Sequence, residues 1–132
     1  LQCNNELVLG VVYEINRDEC FSAWKNGGAY LNNVTIQVSN ASKIADTLLA
    51  TGFPYYDFKK QKAYIDLLND LMQKCHGLRR IGSAAVDMAY VASGRFDAFF
   101  EYAAAALLIG KELLVIWQRR DHLDPFGREE IG

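Results

Sequence analysis

The stretch I81-G-S-A-A-V-D-M-A-Y-V-A-S-G-R-F-D-A-F-F-E101 decides how this chain is read. It opens at the end of a strand and turns abruptly at Gly82 and Ser83. A helix of small and apolar residues follows from Ala84 to Ala92, then a stop at Gly94 and a second strand, Phe96 to Glu101. Strand, helix and strand in this order imply parallel neighbours within an α/β layer. The first N–H groups of a helix have no partner inside it, and the aligned peptide dipoles add partial positive charge there. The backbone N–H groups of Gly82, Ser83 and Ala84 are thereby free to meet a ligand, and glycine lets that ligand come close. Glu101 ends its strand, and ligands of α/β sheets collect at strand C-terminal ends. Gly82, Ser83, Ala84 and Glu101 are therefore the candidate substrate-binding residues, suited to a polyhydroxylated, negatively charged small molecule. An ordinary helix cap at Ser83 and a solvated strand-end acid at Glu101 explain the same residues without a ligand.

Two neighbours read differently. Asp87 and Tyr90 are the polar side chains of the helix, and a partly buried Asp is expected to bond a nearby backbone group or an arginine. Strand alternation places Asp97, Phe99 and Glu101 on one face and Phe96, Ala98 and Phe100 on the other.

Upstream, L7-V-L-G-V-V-Y-E-I15 and E19-C-F-S-A-W24 are β-rich and separated by the polar turn N16-R-D18, which predicts a hairpin. K25-N-G-G28 is a second turn, where Gly27 and Gly28 can take positive φ, and V34-T-I-Q-V38 alternates as a further strand. Residues 1–38 are thus expected to be antiparallel strands of a larger sheet, and 39–132 an α/β portion carrying the pocket wall, together one partial domain. T47-L-L-A-T51 reads as a short buried strand. Tyr64, Ile65, Leu67, Leu68, Leu71, Met72 and Cys75 recur at spacings of three and four, which predicts an amphipathic helix over 58–75 with Gly77 as its left-handed cap. Leu78 to Ile81 forms the short strand before the opening stretch.

Downstream, Ala103 to Trp117 reads as a helix and then a strand, and residues 118–132 as polar and irregular. His122 with Asp121 and Asp124 matches no standard metal spacing.

The chain has 132 residues, 51% hydrophobic and 12% aromatic, which indicates a globular domain. Fourteen basic residues against sixteen acidic give a net charge of −2, and the arginine pairs at 79–80 and 119–120 are isolated, so nucleic acid is not expected as a partner. Cys3, Cys20 and Cys75 are widely spaced and lie in apolar segments, so reduced, buried thiols and a cytoplasmic setting are expected. No signal peptide is visible, and the longest apolar run carries Lys111 and Glu112 and falls short of the roughly 20 residues needed to span a bilayer. No membrane association is expected. The chain begins directly in strand-like sequence at Leu1, which suggests part of something larger.

Several of these segments together resemble the inositol monophosphatase family of magnesium-dependent phosphatases, in its C-terminal portion. L9-G-V-V-Y13 and F21-S-A-W-K-N-G-G-A-Y-L-N32 resemble its hairpin segment, L48-L-A-T-G-F-P54 its strand end, and R80-I-G-S-A-A-V-D-M-A-Y-V-A-S-G-R-F-D-A-F-F-E101 its GSAA block. The order and spacing agree over residues 7–101.

The resemblance implies an α/β chain forming part of a layered αβαβα sandwich. It further implies an enzyme that hydrolyses a phosphate monoester of inositol or a related sugar or alcohol with Mg²⁺. Gly82, Ser83 and Ala84 would line the substrate pocket through their backbone, and Glu101 would accept hydrogen bonds from substrate hydroxyls. Separately from the resemblance, the sheet edge near Leu1 lacks its neighbours and exposed core would have to be covered by another copy, so a homo-oligomer is expected. The family's metal-site motifs are not found in this sequence, and after Glu101-Tyr102 its W-D step gives way to A103-A-A-A-L-L-I109. No catalytic residue or metal ligand is assigned, and the chain alone is expected not to hydrolyse phosphate esters. Two other readings stay open: a non-catalytic α/β module used for binding or assembly, and a phosphate binder that keeps the helix start without hydrolysis.

Overall fold

The computed structural model describes residues 1–53, 58–59, 61–102 and 113–117. The helix expected after Ala103 and the polar segment from 118, with its His122 cluster, lie outside the described residues.

Asparagine turns organise the first part of the chain. β1 (Gln2–Cys3) and β2 (Glu6–Leu7) pair through Asn4 and Asn5, which hold φ of 52° and 63°. Left-handed geometry at both central residues matches the twist of a tight hairpin, and asparagine tolerates it. β3 (Leu9–Glu14), β4 (Glu19–Trp24), β5 (Gly28–Leu31) and β6 (Val34–Thr35) follow as an antiparallel four-stranded sheet in chain order. The β3–β4 hairpin has the expected position, with Val12 opposite Phe21. In the 25–28 turn the positive φ falls at Asn26 and Gly28, not at Gly27. β6 is shorter than the alternation over 34–38 predicts. Gln37 and Ser39 leave the sheet to lie against Gly94, where an added Cβ would sit 2.9 Å from the Gln37 carbonyl oxygen.

The second sheet is mixed. Its order is β10 (Leu113–Trp117), β9 (Ala98–Tyr102), β7 (Leu48–Thr51) and β8 (Gly77–Arg79), with β7 parallel to β8 and β9, and β10 antiparallel to β9. The parallel pairs are those that the strand–helix–strand order requires. The crossovers are α1 (Gln61–Lys74) and α2 (Ala84–Ala92).

Layering follows from which faces are apolar. Val86, Ala89, Tyr90 and Val91 of α2 share one buried cluster with Phe21 of the antiparallel sheet and with Ala50 and Phe99 of the mixed sheet. Tyr64 of α1 meets Phe100 on the opposite side of the mixed sheet, with Leu67, Leu68, Leu71 and Leu78 around them. The order is thus antiparallel sheet, α2, mixed sheet, α1. Phe99 and Phe100 point to different helices, as strand alternation demands. Phe96 joins the Phe99 side because it precedes β9 in a bend and is not bound by that alternation.

Several expectations are corrected. Gly77 is not a left-handed helix cap; it opens β8 opposite Leu48, and the N–H groups of His76 and Gly77 both donate to the Thr47 carbonyl. No residue from Lys74 to Gly77 takes a positive φ, so α1 ends without a left-handed cap. Ile65 and Met72 are exposed, outside the buried stripe of α1. The cysteines are not buried: Cys3 is exposed on the short hairpin, and Cys20 and Cys75 are partly exposed.

The stop after α2 has the expected form. Gly94 takes φ of 73°, its N–H donates to Val91, and the Arg95 N–H donates back to Tyr90. This pair of bonds satisfies the last carbonyls of the helix through a glycine-dependent reversal. Arg95 then grips Glu19 of β4 with two bonds of 2.7 Å, and the Tyr90 hydroxyl donates to the same carboxylate at 3.2 Å. The Arg95 guanidinium holds the Glu19 carboxyl below the usual carboxylate range. One end of α2 is thereby fastened to the antiparallel sheet, and its other end is left facing a pocket.

Candidate substrate-binding site

The pocket forms where β7, β9 and the start of α2 meet. Gly82, Ser83, Ala84 and Glu101 all line it, so the four residues selected from sequence are brought together. Gly82 holds φ of 98°, a conformation that side-chain-bearing residues rarely adopt. Ser83 is the N-cap in extended geometry, and its hydroxyl makes no capping bond. Among the described residues no acceptor meets the N–H groups of Gly82, Ser83 or Ala84. A helix start with open donors and no capping bond from Ser83 is the geometry that made these residues candidates.

Glu101 reaches the pocket past Gly52. A Cβ on Gly52 would lie 2.5 Å from the Glu101 carboxyl carbon, so only glycine leaves the carboxylate where it is. Partial burial raises the Glu101 carboxyl above its ordinary value, while Arg80 opposes the rise. Arg80 also stacks over Phe53, with its guanidinium carbon 5.1 Å from the ring centroid. The recess is partly open, with a volume of about 30 Å³, enough for a water-sized group. This is a wall with a recess rather than a closed pocket.

Asp97 is not part of the wall. Its carboxylate accepts from the Leu48 N–H at 2.6 Å and its own N–H donates to the Leu48 carbonyl at 2.9 Å, which locks β9 to β7. Asp87 departs further from expectation. It is 1% exposed, and its Oδ1 has no hydrogen-bond partner, neither backbone nor arginine. Burial, with the Glu101 charge nearby, pushes its carboxyl up to about 6, and Arg80 draws it back only partly. A sequence signal for this existed: Ser83 and Asp87 are four residues apart, hence on one face of α2, and that face opens on the pocket.

The residues present do not fit a magnesium site. Octahedral oxygen coordination needs several converging carboxylates. Among the described residues no three His, Cys, Asp or Glu side chains converge, and the two carboxyls in the pocket share it with an arginine.

The fold is a layered α/β arrangement, and comparison with known proteins places it in a family. The model of the Inositol monophosphatase family matches residues 1–113. This chain belongs to the inositol monophosphatase family. It is 39% identical over 108 residues to the Nus factor SuhB of Pasteurella multocida, covering 82% of this chain and 40% of that protein. It is 35% identical over 116 residues to the inositol-1-monophosphatase of Mesorhizobium japonicum, covering 88% and 44%. The crystal structure of the extragenic suppressor protein suhB from Bartonella henselae superposes with a TM-score of 0.73 at 36% identity, covering 77% of this chain and 39% of that one. The chain thus spans about two fifths of the length of the relatives it matches.

Proposed function

We propose that this chain supplies the substrate-reading wall of a phosphatase that hydrolyses a phosphate monoester of inositol or a related sugar or alcohol. The observation that carries the reading is the recess at the start of α2, where Gly82, Ser83 and Ala84, whose N–H groups meet no acceptor among the described residues, line the same pocket as Glu101. Donors on one side and a carboxylate on the other suit hydroxyl groups, each of which donates once and accepts twice. Gly82, Ser83 and Ala84 hold the substrate through the backbone, and Glu101 accepts from its hydroxyls.

Hydrolysis needs more than this wall. Mg²⁺, the ion such phosphatases use to activate water, would need carboxylates other than those described, so the chain alone is inactive. The substrate is the small-molecule partner, a second copy of the chain is the protein partner, and the setting is cytoplasmic. No helix among the described residues is long and apolar enough to cross a membrane.

Phosphate release from inositol 1-phosphate in the presence of Mg²⁺ tests the reading. The chain alone should release none, and a protein joining it to an upstream metal-holding half should turn over. Absence of Mg²⁺-dependent release from any sugar or inositol phosphate by the joined protein would overturn the proposal.

A second reading has its own support. Relatives as near as 42% identity bear the name Nus factor SuhB, so a role in assembly without hydrolysis is the alternative. It would be favoured if the joined protein bound partners but showed no turnover.

A further inference from the structure

Asp87 is the least satisfied polar group in the core. It is 1% exposed, lies one helical turn inside the start of α2, and its Oδ1 has no partner. A buried acceptor without a partner costs stability, so such a group is either a defect or awaits a donor. A donor can reach it through the recess, because Asp87 lines the same pocket as Ser83, Ala84 and Glu101.

We propose that Asp87 is a substrate-binding residue at the floor of this recess, where its Oδ1 accepts the hydrogen of one polyol hydroxyl. The inference rests on reading the recess as a polyol site. The same hydroxyl oxygen accepts from the open N–H groups at the helix start, so a single –OH satisfies both the orphan acceptor and an orphan donor. The recess has room for a group of that size. Charge sets the orientation: two carboxyls against one arginine repel a dianion, so the phosphate end of the substrate points away from α2. Glu101 and Arg80 are the charged groups that face Asp87 among the described residues. Its carboxyl titrates at about 6, so hydroxyl capture should strengthen as pH rises through that value and Asp87 becomes a full acceptor.

The test is binding of myo-inositol and of inorganic phosphate to this chain, followed by amide shifts between pH 5 and 7.5. For the unmodified chain, inositol should perturb residues 82–87 and phosphate should not. Asp87→Asn should weaken inositol binding about tenfold at pH 7.5, the effect of losing a charge-assisted hydrogen bond, and abolish the pH dependence centred near 6. Asp87→Ser, which also lacks the carboxylate, should behave alike and covers the case in which the first variant does not fold. Glu101→Gln separates the two ideas. If it weakens binding while both Asp87 variants bind as the unmodified chain does, the role of Asp87 is overturned and the polyol site stands. If the unmodified chain does not bind inositol, or if phosphate perturbs residues 82–87 equally, both fall.

Discussion

At the residue scale, the site separates into what backbone chemistry requires and what packing decides. Gly82, Ser83, Ala84 and Glu101 were readable because a strand end, a helix start and a strand-end acid each leave a local signature. Asp87 departs from the bonded, structural role that its type and helical position favour, and only the packed layers reveal that its Oδ1 has no partner. Gly52 was invisible for the same reason: its necessity lies in the approach of Glu101 from another strand. The strained state of Asp87 has a consequence for stability. Its carboxyl titrates at about 6 in the folded protein against an ordinary 3.8, so the folded state takes up this proton first. Its charged form therefore costs stability fully above pH 6, and the cost fades as pH falls toward 4. Asp87→Asn is expected to raise stability by about 1–2 kcal/mol at pH 7.5 and by little at pH 4, in urea melts at both values. Destabilisation at pH 7.5 would mean that Asp87 has a partner after all.

Among the elements, α2 does the most positioning. Its buried residues are gripped by both sheets, and its C-terminal end is fixed by the Gly94 reversal and the Arg95–Glu19 pair. A Cβ at Gly94 would both face a φ of 73° and crowd the Gln37 carbonyl at 2.9 Å. Gly94→Ala should therefore destabilise the chain by about 1–3 kcal/mol, measured by thermal or urea unfolding. An unchanged midpoint would show that the helix stop is not set by this residue. The helix and most strands were legible from periodicity. The short hairpin at Asn4 and Asn5 was not, because strands of two residues carry no periodic signal, although the asparagine pair marks the turn. The early exit from β6 and the entry of Gly77 into β8 were hidden too, since both depend on contacts distant in sequence.

For the whole molecule, the described layers correspond to four of the five in the αβαβα sandwich that the resemblance implied. The outer face of the antiparallel sheet shows what a fifth layer would cover: Val11 is 58% and Tyr13 52% exposed, with Trp24 on the same face at 43%. An apolar sheet face of this kind drives association unless something covers it. This chain by itself is expected to self-associate at micromolar concentration in light-scattering measurements, and a monodisperse monomer would argue against the proposed homo-oligomer.

The central claim is that this chain reads the substrate while other residues hold the metal. It is tested most directly by Glu101→Gln in a protein that joins the chain to a metal-holding half, with KM for inositol 1-phosphate and the Mg²⁺ dependence measured side by side. The expected result is a KM raised about tenfold with the Mg²⁺ dependence unchanged, as loss of a charged hydroxyl acceptor requires. Equal damage to both would place Glu101 among the metal ligands and contradict the claim.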